Sequence, residues 1–143
     1  MNYSKFKHKT PVQVRFADID KMGHVNNAIF LSYFETARIK YFDEVVGERI
    51  DWTVKGMILA KSIVDYKKPI FQNDTLQVYS SVTKIGNKSF EISGVIVKIK
   101  NGKEEIAASS VITLVCFDYQ KSETIIIPDD WKKQLLTYES YNE

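Results

Sequence analysis

The apolar residues near the start of the chain recur at every second position. Val12, Val14 and Phe16 alternate with polar residues between positions 11 and 18. This period predicts a half-buried strand over residues 11–18, and we expect Gly23 to end the extended segment that follows.

From Asn27 the apolar residues recur instead at the spacing of an α-helix. Asn26 or Asn27 can cap this helix, and Gly47 is the expected terminating residue. A polar stripe covers about a third of the circumference and consists of Ser32, Thr36, Lys40, Asp43 and Glu44. Because most of the remaining surface is apolar, we expect the rest of the chain to cover the helix on most sides.

The second half of the chain has the composition of a sheet. Residues 57–66, 74–84, 88–100 and 106–119 are rich in Val, Ile, Thr and aromatic residues and predict four strands. Short turns such as Gly86-Asn87 and Asn101-Gly102 make consecutive strands antiparallel. Residues 124–127 predict a last short strand, and Pro128 begins a short helix expected at the surface. A curved antiparallel sheet around one long helix is an α+β architecture.

Composition and charge narrow the class of protein. The chain has 143 residues, of which 44% are hydrophobic, so residues 1–143 are interpreted as one domain. Its formal charge of +2 does not favour a nucleic-acid partner. The single cysteine, Cys116, excludes an intrachain disulfide and is interpreted as a buried, inert thiol. Without a signal segment or a long apolar stretch, a cytoplasmic protein with no membrane insertion is expected.

Candidate chemistry lies where the first strand meets the long helix. Asp20 precedes the Gly23 turn and the start of the helix at Asn27. A carboxylate held beside helix N-terminal N–H groups can act as base or nucleophile while those groups stabilise an oxyanion. This pairing points to acyl transfer. The structural alternative is that Asp20 caps its own backbone turn.

Residues 16–38 resemble the hotdog-fold acyl-CoA thioesterases, in the branch that includes bacterial 4-hydroxybenzoyl-CoA thioesterase. The branch's order and spacing are matched by Asp20, Gly23-His24-Val25-Asn26-Asn27, Tyr33, Glu35, Ala37 and Arg38. Weaker similarities follow at Pro69, Asn73-Asp74, Lys88-Ser89-Phe90, Ala107 and residues 127–131. The resemblance therefore extends over nearly the whole chain and implies a hotdog fold, a curved sheet wrapped around one central helix.

This resemblance also implies an activity and an assembly. Asp20 is expected to be the catalytic carboxylate, and the backbone N–H near Asn27 to polarise the carbonyl of an acyl-CoA thioester that is hydrolysed to acid and CoA. The protein is expected to be a homodimer or homotetramer with sites at a subunit interface. CoA is part of the substrate, so no cofactor is required, and His8 and His24 do not make a metal site.

Two short segments supply the candidate substrate-binding residues, which are His24, Val25, Asn26, Lys88, Ser89 and Phe90. His24 can orient Asp20, bind substrate or simply bond to backbone. Lys88 and Ser89, with Lys84, flank the Gly86-Asn87 turn, where they can hold CoA phosphates or remain solvated. Phe90 can line an acyl pocket or belong to the core.

Other charged residues have structural interpretations. Asp18 is expected at a solvent-facing strand end or in an ion pair with Arg15 or a lysine. Glu35 and Arg38 lie one helical turn apart and predict an ion pair. Another hotdog branch uses a helix glutamate, but the His-Gly-Gly segment of that branch is absent here, so Glu35 ranks behind Asp20.

Two alternative functions stay open at this stage. One is an acyl-carrier-protein thioesterase, and the other is a protein that binds acyl-CoA without hydrolysing it. The hotdog dehydratases depend on a catalytic histidine in a motif that this sequence lacks. Acyl-chain length and aromatic preference are not determined by the sequence.

Overall fold

A computed structural model describes residues 2–139 and contains two α-helices and six strands in that range. The helices are α1 (Asn27–Val45) and α2 (Asp129–Glu139). The strands are β1 (His8–Val12), β2 (Lys55–Tyr66), β3 (Thr75–Ile85), β4 (Ser89–Lys100), β5 (Lys103–Asp118) and β6 (Glu123–Thr124). Short 3-10 turns cover Tyr3–Lys5, Phe16–Asp18 and Gly47–Arg49.

The strands form one antiparallel sheet in the order β1-β3-β4-β5-β2, and β6 pairs with the end of β5. The prediction of the four long strands is confirmed to within a few residues. The β4–β5 turn shows why: Lys100 pairs with Lys103, and the intervening Asn101 and Gly102 have φ of 53° and 76°. Asparagine and glycine tolerate this left-handed backbone, which two-residue hairpins require.

Helix α1 packs across the concave face of the sheet. Its N-cap is Asn26, whose side chain accepts a hydrogen bond from the Ala28 N–H, so the predicted start of the helix is confirmed. The buried side chains of α1 are Phe30, Tyr33, Phe34, Ala37, Tyr41, Phe42 and Val45. Leu31 and Ile39, by contrast, are 41% and 49% exposed. One flank of the helix therefore remains uncovered within the subunit.

The first strand is shorter than its alternating pattern predicts. It ends at Val12, and Phe16–Asp18 forms a 3-10 turn in which the Asp18 carboxylate accepts the Arg15 N–H at 2.9 Å. This local hydrogen bond offers the backbone an alternative to the strand ladder. The prediction of a strand as far as Asp18 was therefore wrong.

The C-terminal elements also differ from expectation. The last strand covers only Glu123–Thr124. Helix α2 is docked onto the domain, because Trp131 and Leu135 are buried and the Trp131 indole N–H donates to the Arg49 carbonyl at 2.9 Å. Within residues 2–139, no helix is long and apolar enough to cross a membrane.

Gly94 on β4 lies against the Phe34 ring of α1. A Cβ at residue 94 would lie 2.8 Å from Cδ1 and 3.0 Å from Cε1 of Phe34. Since carbon atoms pack no closer than about 3.5 Å, Gly94→Ala is expected to lower the free energy of unfolding by about 1–3 kcal/mol. Urea unfolding measures this loss.

The matched control is Ser109→Ala, a half-buried serine on β5, which is expected to change stability little. Phe34→Leu should recover part of the loss when it is combined with Gly94→Ala, because the shorter side chain makes room for the methyl group. Strictly additive effects of the two substitutions would contradict the proposed steric cause.

Candidate active site

Asp20 lies in a tightly closed loop between the 3-10 turn and α1. Its N–H donates to the His24 carbonyl at 2.9 Å, and its own carbonyl accepts the Gly23 N–H at 3.0 Å. Gly23 has φ of +88°, a conformation that favours glycine. Ile19 and Val25 form a β-bridge across the loop. The loop is thus closed by backbone contacts that hold the position of Asp20.

The two oxygens of the Asp20 carboxylate have different partners. Oδ1 accepts the Met22 N–H at 2.8 Å, so Asp20 does cap its own turn. Oδ2 lies 3.7 Å from Nδ1 of His24, and the same nitrogen is 3.4 Å from the Val25 carbonyl oxygen. The Asp20 side chain is 19% exposed. Capping by Oδ1 fixes the carboxylate and leaves Oδ2 for chemistry, so the structural and catalytic interpretations are compatible.

The N-terminus of α1 supplies the candidate oxyanion donor. The first N–H groups of a helix have no intrahelical acceptor. Asn26 binds two of them, because its side chain accepts the Ala28 N–H and its carbonyl accepts the Ile29 N–H, both at 2.9 Å. The N–H of Asn27, the first helical residue, has no hydrogen-bond acceptor among the described residues and is therefore the candidate oxyanion donor.

A buried carboxylate joins this loop to the helix. The Asp18 side chain is 0% exposed and accepts the Tyr33 hydroxyl at 2.7 Å and the Arg15 guanidinium at 2.9 Å. Its backbone carbonyl accepts the Asn26 N–H at 2.9 Å. Of the alternatives for Asp18, the ion pair with Arg15 is confirmed and the solvent-facing strand end was wrong. The Tyr33 bond was missed, because a tyrosine on the apolar face of a helix carries no sequence signal for its partner.

The ionisation of this cluster follows from its hydrogen bonds. Burial disfavours the charged form of Asp18, but the bonds from Tyr33 and Arg15 outweigh it and hold the pKa of Asp18 below its ordinary value. Burial and the bond to Asp18 raise the pKa of Tyr33. Asp18 is therefore a charged tether, bonded to Arg15, Tyr33 and Asn26.

A cavity of about 250 Å³ opens beside the helix N-terminus. Its lining consists of His24, Val25, Asn27, Phe30, Tyr66, Lys67, Lys68 and Pro69. Tyr66 donates its hydroxyl to the Asn27 carbonyl at 3.0 Å and packs edge-on against the Phe30 ring. The end of β2 thus forms one wall of the site. Tyr66, Lys67 and Lys68 were not predicted as site residues, because nothing in the sequence shows that the end of β2 meets the start of α1.

The predicted substrate-binding residues fall into two places. His24, Val25 and Asn26 lie with Asp20 and Asn27, although the Val25 side chain is buried. Ser89 pairs with Val115, which pairs with Ile58, whereas the active-site wall is at Tyr66. The eight-residue step from Ile58 to Tyr66 along β2 is roughly 26 Å. One subunit therefore does not bring Lys88 and Ser89 to Asp20.

Other candidates have structural positions. Phe90 is 2% exposed and packs edge-on against Phe42, as its core interpretation expects. The Glu35–Arg38 ion pair is formed at 3.4 Å, on a turn of α1 that does not line the cavity at Asn27. Cys116 is buried, and burial raises the pKa of its thiol to about 12. Among the described residues, no three His, Cys, Asp or Glu side chains cluster as a metal site, and the independence of the activity from metals stays a prediction.

Comparison with known proteins identifies the family. The sequence profile of the Thioesterase-like superfamily matches residues 14–135. The chain belongs to this superfamily. The matched range includes the Asp20 loop, helix α1 and strands β2 to β6, so the prediction of a thioester hydrolase is confirmed at the level of enzyme class.

Individual relatives of this thioesterase agree with the assignment. The long-chain acyl-CoA thioesterase FadM of Escherichia coli K12 is 25% identical over 130 residues, which are 89% of this chain and 96% of FadM. A thioesterase from Thermus thermophilus, crystallised with coenzyme A and zinc, is 31% identical over 98% of each chain, with a TM-score of 0.82. The DHNA-CoA thioesterase of Staphylococcus aureus, at 23% identity, covers 94% of this chain and 92% of its own with the same TM-score. The predicted hotdog fold is confirmed.

The Asp18 tether makes stability depend on pH. Because the folded-state pKa of Asp18 lies below its ordinary value of 3.8, the carboxylate stabilises the fold at neutral pH, and this contribution is lost as the pH falls towards the folded-state pKa. We expect Asp18→Asn to lower the free energy of unfolding by about 1–3 kcal/mol at neutral pH. The difference from wild type should narrow below about pH 4, which urea unfolding across this range measures.

Asp43→Asn is the control, since Asp43 is exposed on the outer face of α1. Its effect on stability should be small at every pH. If the difference between Asp18→Asn and wild type stayed constant down to about pH 3, the charge of Asp18 would not be the stabilising feature.

Proposed function

We propose that this thioesterase hydrolyses acyl-CoA thioesters to a free carboxylic acid and CoA. The observation that carries the proposal is the continuous loop in which Asp20 lies against His24, while His24 and Asn27 line the cavity at the helix N-terminus. This arrangement supports the proposal, because the candidate carboxylate and the candidate oxyanion donor belong to one short segment, residues 20–27, that backbone contacts close.

These residues can perform the reaction by either of two routes. The Asn27 N–H binds the thioester oxygen, where negative charge develops when the carbonyl carbon is attacked. In the nucleophilic route Asp20 Oδ2 attacks that carbon, CoA leaves as the thiolate, and water hydrolyses the resulting mixed anhydride to restore the carboxylate. In the general-base route Asp20 takes a proton from the attacking water, and the thiolate takes up that proton as it leaves. Single turnover in ¹⁸O-water tests the nucleophilic route, because label enters Asp20 only when Asp20 has formed the anhydride and water attacks its own carboxyl carbon.

Two relatives support CoA as the carrier of the acyl group. FadM is named for long-chain acyl-CoA, and the Thermus thioesterase was crystallised with coenzyme A. The alternatives are an acyl-carrier-protein substrate and the binding of acyl-CoA without hydrolysis, and an assay of thiol release separates them.

Replacement of the catalytic carboxylate is the direct test. We expect Asp20→Asn to lower kcat by about 10²–10⁴-fold, because the amide neither attacks nor accepts a proton, while CoA still binds. Thiol release from short, long, branched and aromatic acyl-CoAs measures turnover, and calorimetry measures CoA binding. Asp43→Asn on the exposed face of α1 is the matched control and should retain wild-type turnover.

No thiol release from any acyl-CoA by wild type, with CoA binding intact, would support the non-catalytic binding protein instead. Thiol release from acylated acyl-carrier protein, but from no acyl-CoA, would mean that the carrier is acyl-carrier protein and not CoA. Full turnover by Asp20→Asn would remove Asp20 from the mechanism and leave the rest of the site to be reassigned.

We further propose that two copies pair through β2. Among the described strands β2 pairs only with β5, so its other edge is open. Ile58, Leu59 and Ile63 on this strand are 39%, 55% and 49% exposed. An open edge with apolar side chains is a ready surface for strand pairing, and a second copy offers the same surface. A homodimer follows, and a dimer of dimers stays a prediction.

Such pairing gives Lys88 and Ser89 a position near the site. When two β2 strands pair antiparallel about a two-fold axis, the start of one lies beside the end of the other. The start of β2 is the end near Ser89, and the end of β2 is the wall at Tyr66. Lys88 and Ser89 of one copy would therefore approach the Asp20 site of the other.

A charge at the open edge tests this dimer. Ile63→Lys is expected to convert a dimer into a folded monomer with little activity, because a charged side chain at an exposed edge opposes strand pairing. Sedimentation gives the mass, circular dichroism the folding and thiol release the activity. Leu136→Lys, at a leucine on α2 that is 38% exposed, should remain dimeric and active. A dimeric, active Ile63→Lys protein would contradict pairing through β2.

A further inference from the structure

We infer that Lys67 and Lys68 bind the phosphate groups of the thioester carrier and thereby give the enzyme its preference for coenzyme A over unphosphorylated pantetheine. The inference rests on the proposed thioesterase function and adds a specificity determinant to it. It also places phosphate recognition on the same subunit as Asp20, whereas Lys88 lies at the other end of the sheet.

The backbone around the two lysines is fixed. The N–H groups of Lys67 and Lys68 both donate to the Ala107 carbonyl, at 2.8 and 3.0 Å. The Ile70 carbonyl accepts the Val25 N–H at 2.8 Å, which joins the segment to the Asp20 loop. Lys98 donates to the Pro69 carbonyl at 2.9 Å. A segment held at three points keeps the lysines beside the site and does not have to be ordered when substrate binds.

The same segment shares its cavity with the candidate oxyanion donor. Lys67 and Lys68 line the cavity together with His24 and Asn27, and Tyr66 bonds directly to the Asn27 carbonyl. In the complex that we infer, a thioester carbonyl binds at Asn27 and its pantetheine arm leaves the cavity along the wall that Lys67 and Lys68 form. Phosphate groups at the far end of that arm then meet ammonium groups at the cavity mouth.

The charges on these lysines are available to a ligand. Within the described part of the chain, Lys67 has no ion-pair partner. Lys68 lies 3.3 Å from Glu105, but the two side chains are 56% and 54% exposed, and a pair of this kind is weak. Lys98 differs, because it is mostly buried and lies 3.1 Å from Asp74. The charges of Lys67 and Lys68 can therefore pair with phosphate, whereas Lys98 stabilises the fold through Asp74 and the Pro69 carbonyl.

Charge reversal with a set of carriers tests the inference. Wild type and Lys67→Glu/Lys68→Glu are compared with one acyl group on CoA, on 4′-phosphopantetheine and on pantetheine. We expect wild type to have a higher kcat/KM for acyl-CoA than for acyl-pantetheine, and the double variant to lose about tenfold or more of this preference through KM. The wild-type preference should also fall with added salt, because the lysines are exposed.

A matched control is available on α2. Lys132 and Lys133 are adjacent, exposed lysines, so Lys132→Glu/Lys133→Glu makes the same change in net charge away from the cavity. This control should keep the wild-type preference for acyl-CoA. An equal loss in the control would mean that overall charge, and not Lys67 and Lys68, attracts the substrate, which would overturn the inference.

The remaining outcomes are also decisive. If the kcat/KM for acyl-4′-phosphopantetheine equals that for acyl-CoA, the lysines recognise the phosphate that CoA shares with acyl-carrier protein. If it equals that for acyl-pantetheine, they recognise phosphates found only in CoA. Both results support the inference. An unchanged carrier preference in the variant would refute it. Failure of the thioesterase proposal is distinct, because wild type would then release thiol from none of the carriers.

Discussion

The site depends on one buried carboxylate, that of Asp18, which is bonded to Tyr33 in the helix and to Arg15 in the preceding turn. The carbonyl of the same residue accepts the Asn26 N–H, so the loop that carries Asp20 is bonded directly to the N-terminus of the helix with the candidate oxyanion donor. A buried charge is stable only when it is paired and hydrogen-bonded. Asp18 meets this requirement through Arg15 before the loop and Tyr33 after it. These bonds hold both ends of the loop in place.

Three segments meet around Asp18: the Asp20 loop, the end of β2 with the residues that follow it, and the start of α1. The Asp20 loop bonds to the segment after β2 through Val25 and Ile70, and the end of β2 bonds to the start of α1 through Tyr66 and Asn27. Each of these contacts joins residues that are far apart in the chain. The cavity exists because a sheet of this order places the end of β2 over the helix N-terminus. Positioning of this kind is what the proposed reaction requires of the Asp20 carboxylate and the backbone N–H of Asn27.

Sequence reasoning recovered the elements more fully than the contacts between them. The long helix, its Asn26 cap and the four long strands follow from periodicity and from turn residues, which are local properties. The prediction of a strand as far as Asp18 was wrong, because an alternating pattern does not reveal a side chain that bonds to a nearby backbone N–H, as Asp18 does to Arg15. Helix α2 was expected at the surface, since the buried contact of Trp131 with Arg49 is made across the chain.

The sequence by itself determined the elements, the Asp20 motif and, through its resemblance to hotdog thioesterases, the class of enzyme. Those features are carried by residues close together in the chain, where spacing and capping chemistry act directly. Only the tertiary structure decided which residues share the cavity: it brought Tyr66, Lys67 and Lys68 to Asn27 and left Lys88 at the far end of the sheet. The physical reason is that the order of the strands and the curvature of the sheet set the distances between these residues. Both result from many long-range contacts, which no local sequence pattern encodes.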